Sequence, residues 1–62
     1  MKYSEIERKL KKAGCKFEES GSRHDKWSSP ITGRYFYMPR HKSKEAMPVT
    51  VKSLSEHSGV KL

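Results

Sequence analysis

Gly21-Ser22-Arg23-His24-Asp25-Lys26-Trp27 passes from turn chemistry to strand chemistry, and its phase decides what faces the core. Ser20, Gly21 and Ser22 are turn residues. A strand is expected from about Arg23 to Ser28. Successive side chains of a strand point to opposite faces, so His24, Lys26 and Ser28 share one face and Arg23, Asp25 and Trp27 the other. Trp27, the only tryptophan, is then the core anchor. His24 and Lys26 face outward.

Upstream, Ser4 to Glu7 fits a capping box, with Ser4 as N-cap and Glu7 reaching back. Ile6, Leu10 and Ala13 recur at helical spacing, with Tyr3 just ahead of them. Acidic residues in the first turn and lysines near the end suit the helix dipole. Gly14 is a C′ glycine, so a helix is expected over residues 4–13. Cys15 to Glu19 alternates as a half-buried strand does.

Downstream, Pro30-Ile31-Thr32-Gly33 reads as a hairpin loop. Arg34 to Met38 is a third strand stopped by Pro39, which lacks a ladder donor. Tyr35 and Tyr37 share one strand face, where they can stack on bases, and compete for the core with Phe36 and Met38. After a charged connection from Arg40 to Ala46, a second helix is expected with Thr50 as N-cap. Val51 and Leu54 lie on its inner face, and Gly59 and Val60 close it. Ser53, Ser55 and Ser58 thin its apolar stripe, and His57 sits at its C-terminal end. The order is α-β-β-β-α, an α+β fold with a three-stranded antiparallel sheet and both helices on one face.

Composition narrows the function. A chain of 62 residues with 32% hydrophobic content is expected to be one domain with a thin core. It favours an open surface site over an enclosed pocket. A partner that binds only the folded form would stabilise it further. Fourteen Lys and Arg against seven Asp and Glu give a formal charge of +7, which favours a polyanionic partner. No apolar run approaches the ~20 residues that span a bilayer, and the N-terminus shows no signal-peptide pattern. Nucleic acid is therefore expected and membrane is not. The lone Cys15 excludes an internal disulfide and fits a reducing cytoplasm. The spacing of the three histidines and one cysteine is not that of a structural zinc site.

The residues Gly21-Ser22-Arg23-His24-Asp25, Pro30-Ile31-Thr32-Gly33 and Met38-Pro39-Arg40-His41-Lys42 resemble the HicA-type toxins of bacterial toxin–antitoxin pairs. Met47-Pro48 before the last helix and Gly59-Val60 after it extend the resemblance over nearly the whole chain. Two positions depart from it: Lys26 stands where relatives often carry an apolar residue, and Ser55 where they often carry leucine. The resemblance implies a double-stranded-RNA-binding-domain-like fold and cleavage of mRNA. It also implies a HicB-type antitoxin partner and catalysis by the histidine of the Gly-x-x-His element, which here is His24.

That chemistry suits the residues. Deprotonating a 2′-hydroxyl lets RNA attack its own phosphodiester, so a base, an acid and charge stabilisation suffice, with no metal or cofactor. Imidazole, with an unperturbed pKa ≈ 6.5, serves as base or acid. Gly21, Ser22, Arg23, Lys26, Arg40 and His41 are the candidate RNA-binding residues. Arg23, Lys26 and Arg40 are the cationic donors among them, and His41 is a candidate for the second proton-transfer role. Two other readings fit the composition: a non-catalytic RNA-binding module of the same fold, and a basic assembly protein.

Overall fold

In the computed structural model, which describes residues 1–40 and 43–62, helix α1 (Tyr3–Lys12) leads into strands β1 (Lys16–Ser20), β2 (His24–Ser28) and β3 (Tyr35–Pro39). Helix α2 (Pro48–Ser58) follows. Both helices begin earlier than their sequence signals suggest. Lys2 is held extended by an antiparallel bridge to Glu45, with the Tyr3 N–H donating to the Lys44 carbonyl at 3.1 Å. The helix therefore starts at once after Lys2. Lys2, not Ser4, is the N-cap, and Glu5 is the residue that reaches back, accepting from the Lys2 N–H at 3.4 Å. The end is as expected: Gly14, at φ +98°, donates to Lys11 and Cys15 donates to Leu10, a Schellman closure.

In α2 the N-cap is Met47, and Pro48 opens the helix, so Thr50 lies inside it. Proline's fixed φ suits the first helical position, where its missing N–H costs nothing. Gly59 closes the helix at φ +74°. A Cβ there would also lie 2.7 Å from Ile31 Cγ2, so glycine is required both for backbone conformation and for space.

The strands form one antiparallel sheet in the order β1-β2-β3. Phe17, Trp27 and Phe36 align across it, and His24 faces Pro39. Each strand starts one residue later than its sequence limits suggest, and Pro39 is the last paired residue of β3. Trp27, Phe36 and Met38 are buried, whereas Tyr35 and Tyr37 are 60% and 61% exposed. The indole of Trp27 meets Phe17 edge-on at 6.2 Å and stacks on Phe36 at 6.4 Å. One cluster joins Trp27 and Phe36 to Ile6 and Leu10 of α1, to Leu54 of α2 and to Val60 just beyond it, while Phe17 stays exposed at its margin. Both helices thus pack on the same face of the sheet, which is the double-stranded-RNA-binding-domain-like arrangement.

The serines that weaken the apolar stripe of α2 serve as polar anchors. Buried Ser29, just after β2, donates to the Ser58 carbonyl and accepts from the N–H groups of Ile31 and Thr32. Ser58 Oγ donates to Leu54 O at 2.6 Å and accepts from the Val60 N–H. Ser55 Oγ donates to Val60 O at 2.7 Å. The residue 30–33 loop is thereby bolted to the C-terminal end of α2. Truncating Trp27 to alanine should cost about 3–5 kcal/mol, comparable with the whole stability expected of so short a chain. Chemical denaturation should show loss of a cooperative transition.

Candidate active site

The Gly-x-x-His element is a tight reversal between β1 and β2. The Gly21 N–H donates to the His24 carbonyl at 2.9 Å. A Cβ on Gly21 would overlap that same carbonyl oxygen, so the position needs glycine for close approach. Ser22 and Arg23 form the exposed tip, and Arg23 lies outside β2. The far side of the reversal is held by Arg40. Its Nε donates to Asp25 Oδ1 at 3.0 Å, and its Nη2 donates to Ser20 Oγ at 2.8 Å and to the Gly21 carbonyl. Ser20 Oγ also donates to Asp25 Oδ1 at 3.3 Å. Asp25 thus spends its carboxylate on this clamp, on the sheet face opposite His24.

His24 is exposed at the start of the central strand, on the open face that also carries Lys26, Tyr35 and Tyr37. Lys26 Nζ lies 4.1 Å from the centre of the Tyr35 ring and 3.9 Å from Glu19 Oε1. An apolar side chain is not needed at position 26, because it faces away from the core. Among the described residues, none pairs with the Arg23 guanidinium.

Two hollows meet at the imidazole. One is a groove of about 500 Å³ along the β3 edge of the sheet, between that strand and the flank of α2. Its walls include His24, Tyr35, Tyr37, Ser53 and His57, and its volume is in the ~300–1,000 Å³ range of ligand pockets. The other, about 400 Å³, is lined by Ser22, Arg23, His24 and Arg40. His24 is the wall they share: rings lie on one side and guanidinium groups on the other. Among the described residues, no three His, Cys, Asp or Glu side chains converge in a way that would hold a metal ion.

Of the residues singled out from sequence, Gly21, Ser22, Arg23, His24 and Arg40 come together around the reversal. Lys26 lies further along the same strand. His41 is outside the described residues. Sequence reasoning missed the groove wall supplied by α2. Val49, Ser53 and His57 recur every fourth residue and so share a helix flank, but only the tertiary fold shows that this flank runs beside the β3 edge of the sheet.

Replacing Gly21 with alanine must displace the His24 backbone. We expect a stability loss of about 1–3 kcal/mol, against less than about 0.5 kcal/mol for Ser22→Ala at the exposed tip. Paired denaturation curves, with the His24 ring resonances followed by NMR, check both.

Residues 3–60 of the chain match the family model described as HicA toxin of bacterial toxin-antitoxin. No curated protein and no solved structure matched significantly. Because the match spans nearly the full sequence, the family is settled: this chain belongs to the HicA toxins of bacterial toxin–antitoxin systems.

Proposed function

We propose that this toxin is a metal-independent endoribonuclease that cleaves mRNA with His24 as general acid/base and is neutralised by a HicB-type antitoxin. The observation that carries the reading is the position of His24, exposed at the seam between an aromatic groove and a guanidinium-lined hollow. A nucleotide lying across that seam puts a base beside the rings and a phosphate beside Arg23. Its 2′-hydroxyl then comes within reach of the imidazole.

The reaction needs little else. His24 takes the proton of the 2′-hydroxyl, or returns one to the departing 5′-oxygen. The 2′-oxygen attacks the adjacent phosphorus, leaving a 2′,3′-cyclic phosphate and a 5′-hydroxyl. Arg23, at the loop tip and free of protein partners among the described residues, stabilises charge on the non-bridging oxygens. Lys26 adds positive potential along the same face. Arg40 is chiefly a positioning residue, since its Nε and Nη2 hold Asp25, Ser20 and Gly21. Gly21 and Ser22 shape the reversal that presents the imidazole.

The excess of cations draws in polyanions of either kind, RNA or an acidic antitoxin surface. No helix among the described residues is long and apolar enough to cross a membrane. We place the protein in the cytoplasm, where its substrate is made and translated.

Induced expression should arrest growth and create new RNA 5′ ends. His24→Ala or His24→Gln should abolish both while keeping the thermal transition. General acid–base catalysis contributes ~10²–10⁴-fold, and cleavage should fall by that amount. Cleavage should persist in excess chelator, and a 2′-deoxy residue at the cut position should block it. A fully active His24→Ala protein, or 2′-deoxy substrate cut at the normal rate, overturns the reading.

A further inference from the structure

The groove extends well beyond His24. His24 pairs with Pro39, Lys26 with Tyr37, and Ser28 with Tyr35. With a rise of ~3.3 Å per residue, Tyr35 is about 13 Å along the strand from Pro39. His57 is at the Tyr35 end. The two residues border a second, smaller hollow together as well as sharing the groove, and the C-terminal end of α2 is fixed to the loop that precedes β3. Thr32 Oγ1 donates to the His57 carbonyl at 3.4 Å, and Ser29 Oγ donates to the next carbonyl, that of Ser58. Ser53 Oγ lies 3.3 Å from His57 Nδ1. The imidazole is therefore held at its backbone and on one ring edge, while it remains exposed to the groove.

On these grounds we infer that the Tyr35–His57 end of the groove is a nucleobase subsite, and that the substrate is read as a single strand of at least three nucleotides. The inference rests on the proposed ribonuclease reading and adds to it a second contact point and a strand requirement. Set toward opposite ends of that ~13 Å strand span, His24 and His57 are placed to meet different nucleotides. Tyr35 and His57 offer ring faces and an imidazole edge, which suit a base. Lys26 is not a wall of the groove; its ammonium covers one face of the Tyr35 ring, which leaves the other face to a base and adds positive charge beside it. A base paired within a duplex cannot enter such a groove, because its ring faces are stacked and its edge is occupied.

The test pairs kinetics with binding. Single-stranded tetranucleotide and dinucleotide RNAs are cleaved by wild type, His57→Ala and Tyr35→Ala, each checked for an unaltered thermal transition. Loss of a base–aromatic contact should raise KM for the tetranucleotide by about tenfold with little change in kcat. The penalty should shrink on the dinucleotide, which is too short to span the groove. In parallel, the His57 ring resonances of the wild-type protein should move on titration with an uncleavable 2′-O-methyl tetranucleotide.

An unchanged KM with unmoved His57 resonances overturns the subsite. So does an equal fall of kcat on both substrates, which would mark proton transfer, or resonances that move only when the antitoxin is added, which would mark a protein-docking surface. Should wild type cleave neither RNA, the ribonuclease reading fails. The titration still decides the subsite.

Discussion

Burying the indole of Trp27 between Phe17 and Phe36 fixes the phase of β2, and with it the side of the sheet to which every neighbouring group is delivered. A slip of one residue would turn the whole strand over, placing the imidazole of His24 under the helices and the indole in water. Full burial of an aromatic side chain is worth about 1.5–3 kcal/mol, so the correct register is held by the largest single apolar contribution available to a thin core. Exposure of His24 therefore follows from the burial of a residue three positions away.

Around that core, polar contacts at opposite ends of the sheet do what a larger protein would leave to packing. At the β1–β2 end, one guanidinium gathers Asp25, Ser20 and the Gly21 carbonyl into a rigid corner. At the β2–β3 end, Ser29 and Ser58 tie the 30–33 loop to the last turn of α2, and a glycine at 59 lets Ile31 and Thr32 close over it. The first corner aims the candidate catalytic group. The second sets where the flank of α2 stands relative to β3, and so defines the far wall of the groove.

Much of this was legible in the residues. Alternation through Trp27 gave the faces of β2, and Gly14 and Gly59 gave the helix ends, because a left-handed cap leaves few choices. The helix starts were not legible, since they depend on contacts remote in sequence. Ser4 and Thr50 have the right chemistry for caps, yet the bridge between Lys2 and Glu45 and the proline at 48 fix the first turns elsewhere. Arg40 shows the same limit at the site. As a lone basic residue it reads as a phosphate ligand, and only its spatial neighbours show that its hydrogen bonds are largely spent on the chain itself. His57 reads as a helix-end histidine, because no sequence signal shows that its flank lies beside β3.

The bulge at Glu18 has a consequence of its own. It breaks the regular pairing of β1 with β2 on the one border strand that α2 does not flank, and that strand also carries Lys16 and two glutamates on exposed positions. A twisted, charged margin is a poor template for another chain's strand. For a small basic protein with a sparse interior, such a margin disfavours edge-to-edge pairing between copies and leaves the open face of the sheet exposed.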